Sequence, residues 1–115
     1  MIDFDKLPMR YWDSKTKIEY IQRRILVYSI AYYELNDNIV SDVYYDKLSK
    51  QLVVLQKENK SVVKETQYGY VFQDFDGSTG FDLYHRLNKK DKENLMRITQ
   101  MVLRNKPNWK GVRDV

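Results

Sequence analysis

The sequence predicts a small, mostly α-helical domain. Three observations lead to this prediction: apolar residues recur at helical spacing along two long stretches, good capping residues precede them, and the 115 residues contain only two prolines and four glycines. The length and an apolar share of 43% indicate a single hydrophobic core. We therefore expect residues 1–115 to form one domain.

The first half of the chain predicts an arm followed by a long helix. Residues 1–13 should be extended, because Pro8 disfavours an early helix. A helix is predicted over about residues 14–36. Thr16 and Glu19 have the spacing of a capping box, and Asp13 or Ser14 could cap the helix one turn earlier. Its apolar stripe has alternating steps of three and four residues and consists of Ile18, Ile21, Ile25, Tyr28, Tyr32 and Leu35.

A second helix is predicted over about residues 41–58. The polar residues 36–38 predict the turn before it, Ser41 is a good N-cap, and Asp42 lies where a negative charge meets the positive end of the helix dipole. Because the turn is short, the two helices should pair as an antiparallel hairpin over residues 14–60.

The second half, residues 61–115, predicts a loop, C-terminal helices and a basic tail. The alternation of aromatic residues in YGYVFQDF predicts a short extended segment at about 68–73, although an ordered loop fits nearly as well. DGSTG predicts a turn. Helices are then predicted over about 78–87, with Phe81 facing inward, and about 89–105, capped by Asn88.

The most informative block is YYELNDNIVSDVYYD at residues 32–46. It places two tyrosines at the end of the first predicted helix, and two carboxylates four residues apart on one face of the second. Tyrosine faces and acceptor oxygens at a helix corner suit a flat cation or a ribose. The candidate binding residues are Tyr32, Tyr33, Asp42, Tyr45 and Asp46.

This block resembles the N-terminal Ia subdomain of NAD-dependent DNA ligases, whose pattern is Y-[YH]-x-x-x-x-x-x-[IV]-[SP]-D-x-x-Y-D. The resemblance needs no gap and extends more weakly over residues 17–57. In that family the subdomain binds the nicotinamide mononucleotide (NMN) half of NAD. The matching residues are Tyr32, Tyr33, Val40, Ser41, Asp42, Tyr45 and Asp46.

The resemblance implies a role for each residue of the block. Tyr32 and Tyr45 would supply aromatic surface, and Tyr33 stands where many family members have histidine. Asp42 and Asp46 would accept hydrogen bonds from the ribose or the carboxamide and offset the pyridinium charge. A structural interpretation competes with this one, because the same residues also make a good helix start that could serve only as a scaffold.

Catalysis is not expected. The ligase nucleophile is the lysine of K-x-D-G, whereas the nearest string here is Asp74-Phe75-Asp76-Gly77, and a carboxylate cannot form the lysine phosphoramidate. The absence of cysteine and the single histidine, His85, argue against a metal centre or a Ser-His triad, so no metal is expected.

Two further sets of residues could contact phosphates. Ser78 and Thr79 lie between two glycines whose backbone amides could hold an anion, although a plain turn with a helix cap explains the string better. Residues 86–115 contain nine basic and three acidic side chains, a net charge of +6, which suits nucleic acid or a solvated helix face. The candidate contacts in this segment are Arg104, Lys106, Lys110 and Arg113.

Three functional hypotheses follow. The first is a non-catalytic module that binds NMN or NAD. The second is a phage-type protein that binds and inhibits or redirects a host nucleic-acid enzyme or defence nuclease, favoured by ten tyrosines and the uneven charge. The third is nucleic-acid binding through the basic C-terminal segment. Without cysteines or a long apolar run, we expect a cytoplasmic protein, in the host cytosol if a phage encodes it.

Overall fold

A computed structural model describes residues 2–78 and 80–105, and within these ranges the chain is helical and contains no β-strand. The mostly α fold is therefore confirmed. None of the helices in these ranges is long and apolar enough to cross a bilayer. The helices are α1 (Ser14–Ser29), α2 (Asp42–Glu58), α3 (Lys60–Val63), α4 (Gly69–Phe72), α5 (Leu83–Arg86) and α6 (Lys89–Arg104).

The three long helices begin where their capping residues predict. The side chains of Asp13, Ser41 and Asn88 each accept the backbone N–H of the residue three positions later, at 2.8, 3.1 and 2.8 Å. Each cap satisfies one of the amides that a helix start leaves without a partner. The predicted positions of these helix starts are confirmed.

Helix α1 is the centre of the fold and packs against α2, α3, α5 and α6. Its apolar face is buried together with one face of α2, so the predicted hairpin contributes much of the hydrophobic core. The largest apolar side chains that are completely enclosed are Ile18, Ile21, Ile25, Leu26, Ile30, Leu48, Leu52, Val71, Phe72, Leu83 and Leu95.

A buried polar cluster links α1 and α2 to the segment beyond them. The Gln22 amide donates to Gln56 Oε1 at 3.0 Å and to Thr66 Oγ1 at 3.2 Å, and the Gln56 amide donates to the Phe72 carbonyl at 3.0 Å. Buried amides that find partners in this way specify one arrangement of the elements that carry them.

The predicted extended segment at residues 68–73 is wrong, because this stretch contains helix α4. The N–H groups of Val71 and Phe72 both donate to the Tyr68 carbonyl, at 2.9 and 3.2 Å. Tyr68, Val71 and Phe72 are buried, whereas Tyr70 points outward, so the burial follows helical rather than alternating spacing. A short apolar run is compatible with either period, and the burial of these three side chains in the core decided between them.

The predicted helix at residues 78–87 is much shorter in the structure, where only Leu83–Arg86 are helical. Phe81 was expected to face inward, but 62% of it is exposed, and Leu83 is buried instead. The chain therefore enters the core two residues later than the sequence pattern predicted.

The N-terminal arm is less extended than predicted, since Met9–Tyr11 form a 3₁₀ turn. Trp12 packs on Tyr20 with ring centroids 5.2 Å apart, whereas Tyr11 is 80% exposed. The side chain of Gln51 holds the start of the arm, bonding the backbone N–H and carbonyl of Ile2 at 2.9 and 2.7 Å.

The contact between the two hairpin helices should dominate the stability of the fold. Leu52 of α2 is completely buried, and we expect Leu52→Ala to lower the free energy of unfolding by about 2–5 kcal/mol, because it removes apolar contact and leaves a cavity. Val54→Ala, on the exposed side of the same helix, is the matched control and should cost less than about 0.5 kcal/mol. Urea denaturation measures both, and equal losses would contradict the assignment of the core.

Candidate functional site

The site lies at the corner between α1 and α2, where the first helix ends in an unusual way. Directly after Ser29 the helix widens into a π-helical turn, Ile30–Glu34, and the Leu35 N–H donates to the Ile30 carbonyl five residues back at 3.1 Å. Asn36 then adopts a left-handed backbone conformation with φ of 53°, which asparagine tolerates better than most residues. The chain reverses there and enters α2.

The wide turn changes which tyrosines are buried. In an uninterrupted α-helix Tyr32 would lie beneath Tyr28 on the inner face. The extra residue per turn shifts this register, so that Tyr28 is buried while Tyr32 and Tyr33 are 48% and 38% exposed. Such wide turns often occur at functional sites. The predicted position of Tyr32 in the buried apolar stripe is therefore wrong. The rings of Tyr32 and Tyr33 are instead accessible at the surface.

A cavity of about 350 Å³ opens at this corner, and we call it the corner cavity. All five binding residues predicted from the sequence line it, and so does Ser78 from the distant DGSTG turn. The described residues that line it are Tyr28, Ser29, Tyr32, Tyr33, Asn38, Ile39, Val40, Asp42, Tyr45, Asp46 and Ser78.

An aromatic cluster forms one side of the site. The rings of Tyr32 and Tyr33 meet edge to face with centroids 4.9 Å apart, and Tyr33 meets Phe81 in the same way at 5.5 Å. Such edge-to-face pairs hold rings in fixed orientations. Phe81 was missed as a site residue, because its helical spacing with Tyr84 and Leu87 indicated an inward position.

Two carboxylates stand on the α2 side. Asp42 and Asp46 are both exposed, and Asp46 Oδ2 forms an ion pair with Lys50 Nζ at 3.0 Å, one turn further along the helix. An exposed pair of this kind contributes little to stability and leaves the carboxylate able to take another partner. The site therefore offers acceptor oxygens and negative charge.

Tyr45 is the deepest of the predicted site residues. Its hydroxyl shares a hydrogen bond of 2.8 Å with the hydroxyl of Ser29 on α1, and the two oxygens lie directly beneath the backbone of Gly80. Burial raises the pKa of Tyr45 above its ordinary value, against the opposing effect of the Ser29 hydrogen bond. The phenol is thus neutral at physiological pH.

The residues after α4 are held against the corner by contacts from both sides. His85 Nε2 lies 3.4 Å from Glu34 Oε2 at the end of the wide turn. Arg86 bonds Asp74 at 2.6 Å and Asp82 at 3.0 Å, which closes the loop between them, and its hydrogen bond to Asp74 lowers the pKa of that carboxyl. These contacts explain how a segment remote in sequence comes to cover Tyr45.

Of the predicted phosphate contacts, the structure describes only Ser78 and Arg104. Both the N–H and the hydroxyl of Ser78 donate to Asp76 Oδ1, at 3.0 and 2.6 Å. The Asp76 carboxylate therefore occupies the donors that were expected to bind a phosphate. Arg104 is exposed at the end of α6 and does not line the cavity. Thr79, Lys106, Lys110 and Arg113 lie outside the described residues.

Sequence reasoning also missed Ser29 and Gly80. Ser29 lies inside a helix, where a serine gives no signal of its own, and Gly80 was considered only for its backbone amides. A Cβ at Gly80 would collide with the oxygens of Ser29 and Tyr45, so the absence of a side chain permits the close approach. Only the packing of three segments reveals this requirement.

Part of this chain is similar to DNA ligases. A stretch of 50 residues, 44% of the chain, is 40% identical to the DNA ligase of Buchnera aphidicola subsp. Acyrthosiphon pisum strain APS and to that of strain Tuc7. The ligase of strain 5A is 38% identical over a stretch of the same length. The match spans 7% of the length of these curated relatives. No family model and no solved structure matches the chain. The chain therefore contains a ligase-related segment.

The close contact at Gly80 should couple energetically to Tyr45. We expect Gly80→Ala to destabilise the fold by about 1–3 kcal/mol, because the added methyl group overpacks the Ser29–Tyr45 pair. Tyr45→Phe removes one of the two colliding oxygens, so the alanine should cost at least about 0.5 kcal/mol less in that background. Urea denaturation of the two single variants and the double variant measures the coupling. Strictly additive losses would contradict the contact.

Proposed function

We propose that the corner cavity binds the nicotinamide ring and the adjoining ribose of NMN or NAD, and that these 115 residues act as a non-catalytic binding module resembling the ligase Ia subdomain. One observation carries the proposal: the five residues that match the Ia pattern line a single cavity, although they come from two helices. The similarity of part of the chain to DNA ligases is consistent with it.

The chemistry of the cavity suits this ligand. A pyridinium ring is a flat cation, which aromatic faces and nearby carboxylates both attract. Tyr32 and Tyr45 would supply the faces, and Asp42 and Asp46 would accept hydrogen bonds from the ribose hydroxyls. A mostly preformed concave site with a few polar groups is typical of small-molecule binding sites.

The proposed module has no catalytic role because the residues for adenylation are not in place. Asp74 stands where the K-x-D-G pattern requires lysine, and its carboxylate is bound by Arg86. Asp74 also does not line the corner cavity. Within these residues a ligand would therefore be held and not activated, and we place this activity in the cytoplasm.

Titration calorimetry with NMN and with NAD tests the proposal. We expect both to bind the wild-type protein, and Tyr32→Ala to weaken binding about tenfold, since a stacking surface is lost while the helix stays folded. Tyr11→Ala removes an exposed tyrosine outside the site and is the matched control, with unchanged affinity expected. No heat of binding at millimolar NMN or NAD would overturn the proposed function.

A second candidate function is docking to a host nucleic-acid enzyme or defence nuclease. The aromatic cluster favours it, because Phe81 is 62% exposed beside Tyr32 and Tyr33, and exposed aromatic anchors dominate many protein interfaces. Phe81→Ala should then abolish capture of a stoichiometric partner from host lysate, whereas Met101→Ala, an exposed apolar residue on α6, should not. Equal capture by both variants would contradict docking through this cluster.

A further inference from the structure

We infer that the corner cavity recognises the positive charge of an oxidised N-ribosyl pyridinium and does not recognise its phosphate, so that nicotinamide riboside belongs to its ligand class. This inference rests on the proposed function and specifies which part of a nicotinamide nucleotide contributes to binding.

The first observation is the charge of the cavity wall. Among the described residues that line it there is no lysine, arginine or histidine, and the only charged groups are the carboxylates of Asp42 and Asp46. Proteins commonly bind phosphate through charge-assisted bonds from arginine or lysine. A phosphate placed among these groups would instead meet like charge, whereas a pyridinium would meet opposite charge.

The nearest cation that the structure pairs with this wall is already engaged. Lys50 forms its ion pair with Asp46 at 3.0 Å and does not line the cavity. Because the pair is highly exposed, solvent screens the ammonium, and its attraction for a phosphate is weak. Lys50 therefore moderates the negative charge of Asp46 without making the cavity an anion site.

Several hydrogen-bond donors at the cavity are engaged within the protein. Ser78 directs both its N–H and its hydroxyl at Asp76, and the Tyr45 hydroxyl shares its bond with Ser29. At the start of α2 the Ser41 side chain accepts the Tyr44 N–H, which occupies one of the amides that could attract an anion. These donors already have partners, which adds to the charge argument against a phosphate site.

Oxidation state should matter for the same reason. The reduced dihydropyridine ring has almost the same size as the pyridinium but carries no charge. It would lose the attraction of the tyrosine faces and of both carboxylates while keeping its shape and its ribose hydroxyls. A difference in affinity between the two forms therefore reports charge recognition and not fit.

Titration calorimetry of the whole chain with four ligands separates the two effects: nicotinamide riboside, NMN and the reduced form of each. We expect the riboside and NMN to bind within about threefold of each other, because the phosphate stays in solvent. The reduced forms should bind about tenfold more weakly. Riboside binding at least tenfold weaker than NMN, or equal binding of oxidised and reduced NMN, would overturn the inference and leave the proposed function standing. Binding of none of the four would remove both.

Asp46→Asn tests the charge directly, because it keeps the shape of the side chain. We expect it to reduce the preference for oxidised over reduced NMN severalfold. Glu58→Gln neutralises an exposed carboxylate at the other end of the same helix and should leave the preference unchanged. Circular dichroism checks that both variants are folded. If Asp46→Asn keeps the full preference for oxidised over reduced NMN, this carboxylate does not contribute to recognition of the ligand charge.

Discussion

The hydrogen bond between Ser29 and Tyr45, covered by Gly80, joins three segments that are far apart in the chain. Ser29 ends the first long helix, Tyr45 begins the second, and Gly80 belongs to the loop that returns across them. Its two hydroxyl groups sit in a space too small for a further methyl group. Because a buried hydroxyl without a partner costs free energy, the shared bond stabilises the close approach of the hairpin and the loop.

The wide turn at Ile30–Glu34 has the complementary effect of turning side chains outward. It moves Tyr32 and Tyr33 out of the core and places them beside Phe81, so that aromatic surface lines the opening. The carboxylates of Asp42 and Asp46 face the same opening from the first turns of α2. A cavity with ring faces, acceptor oxygens and no cationic side chain among its described lining residues is suited to a flat cation, which is the physical basis of the proposed nicotinamide site.

Much of this corner was predictable because its determinants are local. Ser41 is a good cap wherever it precedes a helix, and Asp42 and Asp46 share a face through their spacing alone. The errors concern non-local effects. Residues 68–73 have too few apolar positions to distinguish a strand from a helix, and the burial of Tyr68, Val71 and Phe72 in the core selected the helix. Phe81 has the spacing of a buried residue, yet the loop around it is set by Arg86 and its two acidic partners.

The sequence by itself determined the helical class, the starts of the long helices and five of the residues that line the corner cavity. The helix starts and the shared face of Asp42 and Asp46 follow from the sequence because caps and helical spacing act over three or four residues. Only the tertiary structure decided which tyrosines became exposed and that Gly80 closes over Tyr45. It also decided that Ser78 binds the carboxylate of Asp76 and not a ligand phosphate. Some of the contacts behind these outcomes join segments more than thirty residues apart, such as Gly80 and Tyr45. Close packing sets the geometry of such contacts, and no local preference of the chain determines it.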